Sequence, residues 1–202
     1  MVETALSAPP DTRARILDGA FDAIAGFGLS RTTVEDVAQR AGLSRQTIYR
    51  YFPSKDHLVV ALVAREEERL LDGVRRVFAG EPDLERAARG SLLFAIRFAR
   101  EHPLLDRLLA TDQETLLPYL TTRALPLLLR ARQALLDLVT ARARPADPAL
   151  LEVHLDASVR AVVSYILTPS DLPPEEVAMG LARALAGLAP GRGTGASGRS
   201  GP

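Results

Sequence analysis

The chain has 202 residues, 47% hydrophobic but only 5% aromatic, with 25 Lys and Arg balancing 25 Asp and Glu. That length suits one core with a small appended module or two small helical domains, and a Leu- and Ala-rich apolar set favours helix-on-helix packing over a sheet. The absence of cysteine excludes disulfides, thiolate metal sites and cysteine nucleophiles. No apolar run reaches the roughly 18 residues that span a bilayer, and no secretory signal opens the chain, so a cytoplasmic protein is expected.

Residues 1–10 hold a Pro-Pro pair and little periodicity, which predicts a disordered arm. A first helix begins at Asp11 or Thr12, carries Ile16, Leu17, Ala20, Phe21 and Ile24 on its inward side, and closes at Gly26-Phe27-Gly28. Next comes TTVEDVAQRAGLSRQTIYRYF, running from Thr32 to Phe52, whose two expected helices with their turn occupy about 33–52. Thr33 is an N-cap residue followed by Glu35 and Asp36, acids that a helix dipole favours in its first turn. Val34, Val37 and Ala38 give a short helix one apolar side. Gly42 supplies the left-handed residue that ends it, and Ser44 caps a second helix whose Ile48 and Phe52 face inward. Two short helices around a tight glycine turn form a helix-turn-helix, the arrangement that lays its second helix in the major groove of DNA.

The outer side of that second helix carries Arg45, Gln46, Thr47, Tyr49, Arg50 and Tyr51, with no acid from Leu43 through Ser54. Arg and Gln make bidentate contacts with base edges, whereas Thr and Tyr hydroxyls reach phosphate oxygens. From Ser30 to Lys55, Arg31, Arg40, Arg45, Arg50 and Lys55 outnumber Glu35 and Asp36, so a neutral chain has a locally positive segment. Lys55 is the chain's sole lysine.

Ser54 caps a longer helix running to about Ala79, with Leu58 and Leu62 apolar and Glu66-Glu67-Glu68 read as a solvated face; it joins the head to the remainder. Gly80-Glu81-Pro82 ends it, and another helix runs to about Glu101. His102-Pro103 forces a break before a short helix with Leu104, Leu105, Leu108 and Leu109. Pro118 and Pro126 leave the following stretch ambiguous, with a helix opening near Ala124 and continuing to about Arg144. Two last helices are expected at 148–167 and 174–189, the first striped by Leu151, Leu155, Ser158, Val162 and Ile166 and the second by Val177, Leu181, Leu185 and Leu188. Residues 191–202 read as a flexible tail. The fold class is all-α, with about nine helices in all. The domains are a DNA-binding head at 11–71 and an effector-binding and dimerisation domain at 72–190.

The segment also resembles the tetracycline-repressor-like (TetR/AcrR) transcriptional regulators over about residues 11–62. The resemblance rests on the Phe27-Gly28-Leu29 turn and on Thr47, Ile48, Tyr49, Tyr51, Phe52 and Lys55, which match the family's pattern of a threonine or serine, an apolar residue, tyrosine, histidine or tyrosine, phenylalanine and a following lysine. Gln46 departs from it, since members often carry glycine, alanine or proline there, and so becomes a candidate for operator choice. The resemblance implies phosphate contacts for Thr33, Ser44, Tyr49, Tyr51 and Lys55, and base-edge contacts for Arg45, Gln46, Thr47 and Arg50. It further implies a homodimer joined through the last two helices, a palindromic operator in double-stranded DNA, and release by a small molecule, which the Leu and Phe content suggests is apolar.

The two final stripes must be covered either by the subunit's own core or by a twofold partner. Polar residues within apolar helices, namely Arg97, His102, Tyr119, Gln133, His154 and Tyr165, are pocket candidates. Each also has a structural explanation, so no ligand-binding residue is assigned. His57, His102 and His154 lie far apart with no metal-binding spacing, and no phosphate-cradling glycine loop is present. No catalytic residue, metal or cofactor is expected. The alternative is a helical protein-interaction module, which predicts no salt-sensitive DNA binding and no effect of replacing Tyr49.

Overall fold

A computed structural model describes residues 10–168 and 170–189. They form α1 (Pro10–Phe27), α2 (Val34–Ala41), α3 (Arg45–Tyr51), α4 (Lys55–Ala79), α5 (Leu84–Arg100), α6 (Pro103–Thr111), α7 (Gln113–Leu120), α8 (Leu125–Arg142), α9 (Pro148–Leu167) and α10 (Pro174–Leu188). The fold is all-α. The helix beyond the expected nine is α7, where Pro118 obscured the pattern; the Asp112 carbonyl starts it by accepting from the Thr115 and Leu116 amides, both at 3.0 Å. The predicted arm, apart from Pro10, and the predicted tail lie outside the described residues.

The chain divides into two compact units, and their boundaries differ from a single cut after residue 71. The first unit takes the chain up to Glu67 together with His102–Tyr119; the second takes Glu68–Glu101 and the chain from Leu120 onward. The segment bearing α6 returns to the head because α6 packs along α1 and buries Leu104 and Leu108.

In the first unit, Ile16, Leu17, Ala20 and Ile24 of α1 are buried, as are Val37, Ile48, Phe52, Leu58 and Leu62. Burial of such side chains contributes roughly 1.5–3 kcal/mol each before entropy is charged against it. The α1–α2 contact is close because of Gly19: a Cβ there would stand 2.9 Å from both the Ala41 nitrogen and the Val37 oxygen. The acidic run on α4 is not the wet face its composition suggests. Glu66 and Glu67 are buried, and only Glu68 is exposed. Glu66 accepts from Arg65 Nε at 2.8 Å and lies 3.3 Å from His102 Nε2, while Arg65 reaches Asp18 at 2.7 Å. Glu66 is thus held inside by Arg65 and by a histidine 36 residues away, which sequence spacing does not reveal.

The second unit is packed from apolar clusters. Phe78, Ala87, Ala88, Val139, Leu151, Leu155, Ala182 and Leu185 form one. Val74, Ala95, Ile96, Val162 and Val177 form another, and α8 meets α9 through Ala124, Leu128 and Val159. Gly73 on α4 lets the Phe94 ring lie directly against the helix, since a Cβ would be 2.1 Å from its Cζ. The two C-terminal stripes are therefore covered by the subunit's own core. What stays open is a different face: Leu150 and Val153 of α9 are 46% and 64% exposed, and on α10 no atom stands within 4 Å of a Cβ built at Gly180 or Gly187.

Candidate nucleic-acid interface

Every local signal that shapes the α2–α3 pair has a bond behind it. Thr33 and Asp36 form a reciprocal capping box: the Asp36 amide donates to Thr33 Oγ1 at 3.2 Å and the Thr33 amide to Asp36 Oδ2 at 2.8 Å. The hydrogen bonds from Thr33 draw the Asp36 pKa below its ordinary value. At the far end of α2, Gly42 adopts φ 64°, ψ 40° and its amide donates back to the helix. Arg15 of α1 crosses to the same end and donates to the Ala41 carbonyl at 2.8 Å, placing a cation where the dipole is negative. Ser44 then caps α3 by accepting from the Thr47 amide at 3.1 Å. Only Ile48 of α3 is fully buried, so the helix is pinned by one side chain and presents the rest of its surface outward.

Arg45, Gln46, Tyr49 and Arg50 are exposed, as are Thr33 and Ser44, and Thr47 is half-buried. The structure thus leaves these predicted residues open or half-open to solvent. Arg45 stacks over Tyr49 at 6.0 Å and pairs with Glu35, so an acid from α2 does serve the flank that lacks acids of its own. Tyr51 differs from these: it is half-buried three residues after Ile48, with Arg50 over its ring at 5.7 Å, and its hydroxyl is enclosed without a hydrogen-bond partner. Lys55 is half-buried at the start of α4, where its ammonium donates to the Leu29 carbonyl at 2.6 Å. Burial pushes its pKa down, and Asp112 and Asp36 push back.

Two models of known families match: "Bacterial regulatory proteins, tetR family" over residues 16–62, and "Bacterial Tetracyclin repressor, C-terminal domain" over residues 83–187. The chain belongs to the TetR family of bacterial transcriptional regulators. It is 32% identical over 185 residues to the HTH-type transcriptional regulator AlkX of Mycobacterium tuberculosis, covering 85% of this chain and 84% of that one. The crystal structure of the TetR family repressor AlkX from Dietzia superposes with a TM-score of 0.71 at 26% identity, covering 87% of this chain and 93% of that one. The HTH-type transcriptional repressor KstR of Rhodococcus jostii is 32% identical over 135 residues, 54% of this chain and 64% of its own. These relatives are DNA-binding regulators, not enzymes.

Sequence reasoning did not find Arg15, Asp112 or the pairing of Glu35 with Arg45, each of which supports the TetR head. Asp112 is buried and accepts from the Leu29 amide at 3.1 Å and the Ser30 amide at 2.9 Å, with the Thr111 hydroxyl 2.8 Å away. Burial opposes its ionisation, yet the bonds from Ser30, Thr111 and Leu29 prevail and hold its pKa at about 2. An aspartate at a helix start reads as a cap for that helix, and no local signal points to a turn 82 residues away.

The six polar pocket candidates are engaged elsewhere. Arg97 is exposed and pairs with Glu175 at 2.6 Å; Gln133 is exposed and donates to Asp137 at 2.8 Å. His102 caps α6, and Tyr119 donates to Asp56. His154 Nε2 stands 3.2 Å from the Leu181 carbonyl, and Tyr165 packs beside the Val162–Val177 cluster. Among the described residues no group of three or more His, Asp or Glu could hold a metal, and no helix is long and apolar enough to cross a membrane.

Proposed function

We propose that the protein is a homodimeric repressor that reads a palindromic operator with α3 and leaves it when a small apolar molecule binds the second unit. The observation that carries this reading is the α3 flank, where Arg45, Gln46, Tyr49 and Arg50 stand exposed on a helix anchored by Ile48. Arg45, Gln46, Thr47 and Arg50 address base edges or their neighbourhood. Thr33, Ser44, Tyr49 and Lys55 address phosphates, and Tyr51 supports the helix from within.

Two symmetric heads would meet half-sites about 34–36 Å apart, or a multiple of that spacing. The dimer forms through α9 and α10. The uncovered Leu150 and Val153, with the open strip at Gly180 and Gly187, support such a seam, because small residues admit a partner helix closely. Repression agrees with the printed descriptions of KstR and the Dietzia AlkX as repressors. An apolar effector agrees with the Leu-, Phe- and Ile-lined interior of the second unit and with a relative implicated in biodegradation of n-alkanes. To act, the effector must bind the DNA-incompetent arrangement more tightly than the competent one; affinity alone shifts nothing. Its site of action is the cytoplasm, on the nucleoid.

Oligonucleotide selection with purified protein at low ionic strength, followed by footprinting on DNA flanking its gene, tests the reading. A palindromic site is expected; no preference among duplexes would refute it. Gln46→Ala should relax discrimination at particular operator positions by roughly 1–3 kcal/mol. Lys55→Ala should weaken specific and random DNA alike and make the salt slope shallower by about one unit. Identical behaviour of the two variants would overturn the division between base-reading and phosphate-binding residues.

A further inference from the structure

We infer that Asp112, at the junction of α6 and α7, is a positioning residue for DNA binding that acts through the Gly28–Ser30 turn and Lys55. The inference rests on the DNA-binding reading above. The turn joins α1 to the helix-turn-helix and has two amides facing inward, on Leu29 and Ser30. Asp112 takes both, one on each carboxylate oxygen. The same peptide segment then offers the Leu29 carbonyl to the ammonium of Lys55, 2.6 Å away. One carboxylate and one ammonium therefore grip opposite polarities of a single turn, and neither could shift without moving the other's partner.

Two further features indicate that this grip is built rather than incidental. Gly28 has φ 86°, and a Cβ there would fall 2.5 Å from Asp112 Oδ2, so the turn leaves room only for the carboxylate. Asp112 also stands where an aspartate ordinarily turns to the first amides of the following helix; its carboxylate goes to the distant turn instead. With its carbonyl already holding the stem, the Lys55 ammonium keeps two further N–H donors in a fixed place at the head of α4. A phosphate oxygen meeting a fixed ammonium gives up less side-chain freedom than one meeting a free lysine, which carries much rotamer entropy.

The sign of the effect separates this role from bulk electrostatics. Removing an anion from a DNA-binding head should tighten DNA binding if long-range charge were all that mattered. Loss of a positioning carboxylate weakens it. The test measures affinity of the full-length protein for a wild-type-selected duplex across a series of salt concentrations, for wild type, Asp112→Ala, Lys55→Ala and the double variant. Asp112→Ala should bind about tenfold more weakly, with a salt slope shallower by about one, and the double variant should bind as Lys55→Ala does. A merely structural loss would lower the melting temperature and leave the slope unchanged. An unchanged slope, tighter binding or additive losses would overturn the proposal. Should Asp112→Ala fail to fold, Asp112→Asn, which keeps one acceptor oxygen, is judged by the same criteria. If wild-type protein selects no duplex, the DNA-binding reading falls and takes this proposal with it; a wild type that binds beside an Asp112 variant with normal slope removes the proposal alone.

Discussion

The head and the C-terminal unit are both helical, but different forces specify them. In the head, polar side chains set the geometry: Thr33, Asp36 and Ser44 at caps, Arg15 at a helix end, Asp112 and Lys55 on one turn. In the second unit, apolar clusters dominate beside the caps at Asp83 and Asp147 and the bonds of Arg142, while polar groups such as Arg97 and Gln133 lie on the surface. Hydrogen bonds fix position to tenths of an ångström and fail abruptly when one partner is lost. Apolar packing constrains volume more than direction and tolerates exchange. A surface that must match the spacing of bases needs the first kind of order. A unit proposed to admit a ligand and change arrangement can work with the second.

The largest expected effect lies on the apolar side of the comparison. Val153→Glu places a charge on the most exposed apolar residue of α9. If that face is the dimer seam, burying an unpaired carboxylate there should cost on the order of 3 kcal/mol or more, dissociate the dimer and abolish tight operator binding, with helicity intact. Analytical ultracentrifugation and circular dichroism measure both. A variant that stays dimeric moves the seam off this face.

A second test compares the rigidity of the two units directly. At Gly19 a new methyl would meet backbone atoms of α2, which can yield only if the helix moves. At Gly73 it would meet the far edge of the Phe94 ring, which can turn aside. Gly19→Ala should therefore destabilise by about 1–3 kcal/mol and weaken DNA binding, whereas Gly73→Ala should be close to neutral as helix propensity offsets repacking. Denaturant midpoints decide it. Equal losses would mean that the second unit is as tightly specified as the first.

The same contrast explains what could be read from the chain beforehand. Helices, caps and the exposed face of α3 were legible because their causes are local: Thr33 and Asp36 are three residues apart, and Gly42 acts at its own position. The departures come from partners distant in sequence. Glu66 looks like part of a wet face until His102, 36 residues away, is brought to it, and Glu67 is buried beside it. Tyr51 matches the family pattern, yet its hydroxyl is enclosed without a hydrogen-bond partner, which helix periodicity alone does not indicate. Stripes on α9 and α10 correctly mark apolar faces, but periodicity cannot say whether a core or a second subunit covers them. Pocket residues were illegible for a related reason. Each polar candidate already has a partner in the chain, and apolar linings carry no address.

The smallest effect is a pH dependence confined to the head's polar frame. The Asp112 pKa is about 2 against an ordinary 3.8, so folding favours its ionised form. Its contribution is complete above the unfolded value and is lost as pH falls through the folded one, a window of roughly pH 4 to 2. Comparing urea stability of wild type and Asp112→Asn isolates it. The gap should be on the order of 1–2 kcal/mol at about pH 6 and close towards pH 2, where wild type carries a neutral acid in place of the amide. Asp36 is also depressed by Thr33, and Glu175 by a bond from its own backbone and one from the Arg97 side chain, but both are present in the two proteins and cancel in the difference. A gap independent of pH would show that the Asp112 oxygens act as neutral acceptors, and that the charge on this carboxylate contributes nothing to holding the turn.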